Sequence, residues 1–141
     1  MTIYDSQTQS KSTKNSRSFR DLDLDFTRNA VTNDVNVVED VIAVKRSVRN
    51  LIQTNFYERP FNPTFGSDAR ALLFEPVDSI TIQNMRRVIE TAIKNHEPRV
   101  NVIKIAIGDL VDANAYNIGI TYELLDVNTN NEVNLVLERL R

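Results

Sequence analysis

The strongest constraint on the fold is a strict alternation of apolar and polar residues in the C-terminal third. Large apolar side chains occupy every second position over residues 116–124 and again over residues 133–137. A period of two places these side chains on one face of a β-strand. Asn and Thr at positions 128–131 favour a turn, so the two runs predict an antiparallel hairpin. Residues 100–107, dense in valine and isoleucine, predict a further strand.

Two upstream segments carry apolar residues at helical spacing, and we expect Asp40 to cap the first and Asp78 or Ser79 to cap the second. A short helix over residues 69–74 is expected between them, ending before Pro76. Four aromatic residues in the loop at 55–67 are expected to pack beneath it. Helices followed by strands predict an α+β fold, with three helices packed on a small antiparallel sheet. The apolar residues at helical spacing form one stripe on each long helix. The stripes are Val41, Val44, Val48, Leu51 and Ile52 in residues 40–54, and Ile82, Met85, Ile89, Ala92 and Ile93 in residues 79–95.

The N-terminal region divides at about residue 19. Residues 1–18 are mostly polar and hold no apolar stretch, which predicts a flexible arm ahead of a single domain over residues 19–141. Leu22, Leu24 and Phe26 alternate and predict a half-buried strand, with a second short strand around Val35 and Val37. Residues 1–20 carry a positive net charge. They hold one anion, Asp5, and four cations, which are Lys11, Lys14, Arg17 and Arg20.

Composition excludes several kinds of site. There is no cysteine and a single histidine, so we expect no zinc site, no other metal and no cofactor, and assembly inside a cell. The series Asp21-x-Asp23-x-Asp25 opens like a calcium loop, but Phe26 stands where glycine is needed and Thr32 where glutamate is needed. A net charge of −2 does not predict a nucleic-acid partner. No apolar run is long enough to predict a membrane partner.

Three segments carry a resemblance to a known family. The first is Asp-Leu-Asp-Leu-Asp-Phe-Thr at residues 21–27. The second is residues 43–54 with the motifs Glu58-Arg59-Pro60-Phe61 and Phe65-Gly66-Ser67 that follow, and the third is Glu97-Pro98-Arg99-Val100. In this order they resemble the baseplate wedge proteins of contractile-tailed phages, a family shared with the corresponding baseplate component of type VI secretion systems. The likeness extends over about residues 19–140.

The resemblance implies a non-enzymatic structural protein of the virion, located in the tail baseplate. Its implied partners are other baseplate wedge proteins and the tail sheath protein, with no small-molecule substrate. It also implies C-terminal strands like the inner part of a sheath subunit, with one sheet edge that starts sheath polymerisation. The wedge core would be bound by Glu97, Pro98 and Arg99. The last strand is either internal to the sheet or this free edge, and the resemblance favours the edge: Val133, Asn134, Leu135, Val136 and Leu137.

Two other functions stay open at this point. One is a tail-associated, lysozyme-like peptidoglycan hydrolase, because glycoside hydrolysis needs only two carboxylates. Glu97 is the best general acid, but pairing with Arg99 would hold it ionised, opposite to an acid's need. We therefore assign no catalytic residue. The other is a stress-related adaptor on the same fold, which is expected to lack the Glu-Pro-Arg junction.

Overall fold

The computed structural model describes residues 19–110, 115–125 and 130–139. Two short strands, β1 (Arg20–Leu22) and β2 (Val37–Glu39), pair antiparallel, and helix α1 (Asp40–Gln53) follows directly. A loop containing one 3-10 turn (Ala71–Phe74) leads to α2 (Ser79–His96). The chain ends in three antiparallel strands, β3 (Val100–Leu110), β4 (Ala115–Leu124) and β5 (Asn130–Glu138), with β4 in the centre. The predicted arm, residues 1–18, and positions 128–129 of the predicted turn lie outside the described residues.

The predicted architecture of three helices on one small sheet is wrong, although the α+β class is correct. The described residues form two α-helices and two separate sheets, of two and three strands. The expected middle helix is only a 3-10 turn, because its amides bond to carbonyls three residues back: Ala71 to Asp68, Leu73 to Arg70 and Glu75 to Leu72. The stretch ends before Pro76 and is too short to establish the bonds of an α-helix.

The core lies between the two helices and one face of the three-stranded sheet. α1 packs over β5 and α2 over β3. The opposite face of the sheet is more exposed and largely polar, as in many antiparallel sheets that cover one side only. Both predicted stripes point inward, although Val41 and Ile82 are only partly buried. They meet the alternating residues of β4 and β5, which are Tyr116, Ile118, Ile120, Tyr122, Leu124, Val133, Leu135 and Leu137.

The two helix starts differ in how they are capped. At α2 the prediction is confirmed, because the Asp78 carboxylate accepts the Thr81 amide at 2.7 Å. This bond lowers the pKa of Asp78. At α1 the prediction is wrong, because Glu39 takes the cap position and its side chain accepts no amide of the first helical turn. The Asp40 carboxylate instead accepts the amide of Phe19 at 3.2 Å, which ties the start of β1 to the helix.

The predicted N-terminal strand ends at Leu22 because Asp23 turns back toward α1. Asp23 is buried and accepts hydrogen bonds from Thr27 Oγ1 at 2.5 Å, from the Asp25 amide and from Arg46 Nη1. The Thr27 bond and then the Arg46 bond lower the pKa of Asp23 from 3.8 to about 2. A polar anchor thus attaches this segment to α1, and the expected half-burial of the apolar residues is wrong, since Leu22, Leu24 and Phe26 are exposed.

The loop after α1 is braced, because Phe65 packs on the core and the chain closes tightly at Gly66. It does not bury its other aromatic residues as expected. Tyr57 and Phe61 are largely or fully exposed and adopt left-handed φ values of 68° and 67°. Phe65 alone of the loop aromatics packs against the core, with its ring 5.2 Å from that of His96. Gly66 is required where the loop closes, because its φ is 131° and a Cβ there would lie 2.6 Å from the Thr54 carbonyl oxygen.

Candidate docking and edge sites

The Glu97-Pro98-Arg99 junction lies where α2 turns into β3. The Glu97 amide donates to the Ile93 carbonyl at 2.8 Å and ends the helix, and Pro98 follows as an exposed residue. Beyond it, the Arg99 carbonyl accepts the Leu125 amide at 3.2 Å, which connects the junction to the end of β4. The three predicted docking residues are therefore held at one corner of the domain.

Glu97 points into the domain. It is only 3% exposed, and its two carboxylate oxygens are both occupied. One accepts Arg99 Nε, and the other accepts Arg99 Nη2 at 2.7 Å and the Ser47 hydroxyl at 2.5 Å. An ionised group at such depth requires partners of this kind. Glu97 thus serves to hold Arg99.

Arg99 is the charged member of the junction that solvent can reach, next to the exposed Pro98. Its side chain is 32% exposed, and its guanidinium lies 5.1 Å from the centre of the Phe19 ring. The hydrogen bonds to Glu97 raise the pKa of Arg99 above its already high value, so the side chain remains a cation. The arrangement presents a fixed, charged donor at the surface.

Sequence reasoning missed Ser47 and Phe19 as parts of this site. Ser47 was visible only as a polar residue beside the buried stripe of α1, three positions after Val44. That position is half-buried, and its hydroxyl bonds to Glu97, 50 residues later in the chain. Phe19 gave no signal, because its contact with Arg99 depends on how the N-terminal strands attach to α1.

The predicted sheath-binding strand is an edge strand. Within the described residues, β5 pairs with β4 alone, with Leu135 opposite Ile118 and Val133 opposite Ile120. Val133, Leu135 and Leu137 are buried under α1, whereas Asn134 and Val136 lie on the exposed face. The three buried residues fix the register of β5 on β4. The main-chain groups on the other side of β5 have no neighbouring strand among the described residues.

The direction of the Asn134 main chain follows from one contact. Its carbonyl oxygen accepts Arg49 Nη2 from α1 at 3.4 Å, a long and weak bond. In an antiparallel ladder, a residue's N–H and C=O point to the same side of the strand. The Asn134 amide therefore points away from β4, toward the free edge.

The other outer strand, β3, offers a less regular edge. Its pairing with β4 shifts register between Val102 and Lys104, so Ile103 is an extra residue that bulges from the ladder. A bulge disrupts the spacing of donors and acceptors and bends the strand. β3 therefore offers a less regular row of main-chain donors and acceptors than β5.

The described part of the chain shows no metal-holding cluster and no membrane-spanning helix. It contains no group of three or more His, Asp or Glu side chains placed to hold an ion. None of its helices combines the length and the apolar character needed to cross a membrane. Two of its ion-pair networks have a buried carboxylate at their centre, Asp23 in one and Glu97 in the other.

Comparison with known proteins identifies the family. The family model for baseplate wedge protein gp25 matches residues 38–129. Baseplate wedge protein gp25 of Enterobacteria phage T4 is 31% identical over 84 residues, an alignment that covers 60% of this chain and 64% of that protein. The chain therefore matches less than two thirds of the length of this relative.

Three solved structures share the fold. A chain of the anti-feeding prophage baseplate gives a TM-score of 0.69 at 24% identity, covering 78% of this chain and 88% of its own. A chain of the pyocin R2 baseplate after contraction gives 0.55 at 15% identity, with coverages of 86% and 100%. A Geobacter sulfurreducens protein provisionally described as a tail lysozyme gives 0.64 at 20% identity, with coverages of 70% and 89%. At these identities the likeness shows the fold alone.

The resemblance noted in the sequence is confirmed, since the matched region holds α1, the braced loop, α2 and most of the sheet, including the Glu97-Pro98-Arg99 junction. The chain belongs to the baseplate wedge protein gp25 family.

Proposed function

We propose that this chain docks on other wedge proteins through Arg99 and starts tail sheath polymerisation by presenting the outer edge of β5. A sheath subunit would add a strand there, so that main-chain hydrogen bonds supply affinity and alternate side chains supply specificity. The observation that carries this proposal is the sheet order, which leaves β5 paired on one side only within the described residues.

The composition of β5 suits a template better than a protected edge. Proteins usually blunt exposed edges with proline, bulges or charged side chains. β5 pairs with β4 without a register shift, has no proline, and carries its charged side chains, Glu132 and Glu138, toward its two ends. Among the described residues, its outer main chain is contacted by the weak Arg49 bond to the Asn134 carbonyl. An incoming amide can replace that contact at small cost, because a 3.4 Å bond contributes little.

The docking role rests on the geometry of the junction. A partner that binds Arg99 meets a side chain whose position is already fixed by Glu97 and by the Phe19 ring. Little side-chain entropy remains to be lost on binding, which favours affinity. The chain would thus be anchored at one corner while β5 stays free for the sheath.

We further propose that the chain acts without catalysis. A hydrolase would need a protonated carboxyl at its substrate. Glu97, the best candidate, is buried and accepts bonds on both oxygens, so it cannot face a sugar. Purified protein is expected to leave peptidoglycan turbidity unchanged, and a loss of turbidity that depends on Glu97 would contradict this.

Site-specific cross-linking tests which edge meets the sheath. The natural chain has no cysteine, so a single introduced thiol is unambiguous. Val136→Cys places a thiol on β5, and Lys104→Cys places a matched thiol on β3, both at exposed positions. In assembled tails we expect the first to cross-link to the sheath protein and the second not to. Cross-linking from β3 alone would assign the template to the other edge, and none from either would refute edge presentation.

A further inference from the structure

The donors of Arg99 are only partly used within the domain. A guanidinium carries five N–H groups. Nε and one hydrogen of Nη2 bond to Glu97, which leaves both hydrogens of Nη1 and one of Nη2. No other acceptor among the described residues bonds to them. The free hydrogens lie at the end of the side chain away from Glu97, which is the part that a partner can approach.

The charge of Arg99 is already balanced. Glu97 neutralises it directly, and Asp21 lies near enough to act on the same guanidinium and raise its pKa further. The three groups together carry one positive and two negative charges. A partner carboxylate would add a third negative charge and would lose its own hydration, so attraction to Arg99 would be offset by repulsion.

A main-chain carbonyl group has neither disadvantage. It is uncharged and accepts hydrogen bonds, and the last four carbonyls of a helix have no partner in their own helix. These groups carry only the partial negative charge of the helix dipole, so the balanced Arg99 cluster repels them far less than it repels a full carboxylate charge. Two adjacent carbonyls can be reached by the closely spaced hydrogens of one guanidinium.

We propose that Arg99 recognises main-chain carbonyl oxygens at the C-terminal end of a helix in a wedge partner, and not a carboxylate. This inference rests on the proposed docking role. Ser47 and Phe19 are positioning residues in it: the Ser47 hydroxyl fixes Glu97 at 2.5 Å, and the Phe19 ring backs the guanidinium. They act through Arg99 and not on the partner.

The test is a binding titration of the full chain against the purified wedge partner complex of the same baseplate, between about 50 and 500 mM NaCl. We expect Arg99→Ala to weaken binding by about tenfold or more, as for lost bonds from a charged donor. Wild type and Arg99→Ala should show the same salt dependence. Asp21→Asn should change affinity by less than about twofold, because a neutral acceptor senses little of the Asp21 charge. Asparagine keeps the bond that Asp21 accepts from the Leu22 amide.

Two controls separate positioning from folding. Ser47→Ala should weaken binding in the wild-type background and have no further effect beside Arg99→Ala, since Ser47 acts only through that side chain. Glu97→Gln/Arg99→Ala removes the donor without leaving a buried charge, and it should bind as weakly as Arg99→Ala. Equal losses from Ser47→Ala in both backgrounds would refute the positioning role.

Two results would contradict these expectations, and each points to a different error. If Asp21→Asn tightens binding several-fold and wild type is more salt-sensitive than Arg99→Ala, the partner group is a carboxylate. That outcome overturns this inference and leaves docking through Arg99 intact. If neither variant that lacks Arg99 loses affinity, docking through Arg99 is itself wrong, and the inference falls with it.

Discussion

Arg99→Ala tests whether the junction is a coupled buried network. The change removes two charge-assisted hydrogen bonds from Glu97, which is 3% exposed, and leaves Ser47 as its partner. Breaking a fully buried ion pair costs about 3–5 kcal/mol. Because Arg99 is 32% exposed, water can partly replace it, and we expect a loss of about 2–3 kcal/mol. For a domain of this size that lowers Tm by roughly 6–12 °C.

The double variant Glu97→Gln/Arg99→Ala supplies the decisive comparison. Glutamine can still accept the Ser47 hydroxyl but carries no charge, so the double variant should regain about 1–2 kcal/mol over Arg99→Ala. The assay is urea unfolding followed by circular dichroism, with equal m-values as the check on two-state behaviour. Additive losses, with the double variant less stable than either single one, would refute the coupling. A loss below about 0.5 kcal/mol for Arg99→Ala would show that solvent already screens the pair.

Three further predictions concern other parts of the fold. The folded-state pKa of Asp23, about 2, lies below its unfolded value, so its stabilisation is present above about pH 4 and lost as the pH falls toward 2. The urea midpoint of wild type should therefore fall more over this range than that of Asp23→Asn, and parallel curves would contradict the anchor. Gly66→Ala should cost about 2–3 kcal/mol in urea unfolding because of its φ and the Thr54 carbonyl, whereas Gly108→Ala, with open space around it, should be neutral or slightly stabilising. Tyr122→Phe should be neutral or raise stability by up to about 1 kcal/mol, because the buried hydroxyl has no partner among the described residues, and a clear loss of Tm would reveal a missed hydrogen bond.

The elements with a strong apolar period were predictable from the sequence. The stripes of α1 and α2 and the alternation of β4 and β5 each require one buried face, so element type and orientation follow together. The Asp78 cap was predictable for a local reason, because a carboxylate before a helix meets unpaired amides. Here local chemistry and the final fold agree.

The errors arose where distant contacts decide the local structure. Leu22, Leu24 and Phe26 alternate like a half-buried strand, but bonds from Arg46 and Thr27 draw Asp23 out of that pattern. Asp40 was expected to cap its own helix and instead accepts the Phe19 amide, 21 residues earlier in the chain. No local rule contains such partners, since they depend on how separate elements pack.

The candidate site shows the same division. The Glu97-Pro98-Arg99 junction was found from the sequence, but the roles within it were not. All three residues were expected to bind the wedge core, whereas Glu97 is buried and Arg99 is partly exposed. The difference comes from Ser47, 50 positions earlier, whose hydroxyl gives the carboxylate a third hydrogen bond inside the domain.

The measurement that tests the central proposal most directly is electron microscopy of tails assembled with Asn134→Pro. Proline removes one main-chain amide, which at this position points to the free edge of β5, so no bond to β4 is lost. Asn134→Ala is the matched control, because it removes the side chain and keeps the amide. We expect Asn134→Pro to retain wild-type circular dichroism yet yield complete baseplates with bare tubes, while Asn134→Ala builds normal sheath. A folded Asn134→Pro protein that supports full-length sheath would contradict β5 as the site where the sheath begins.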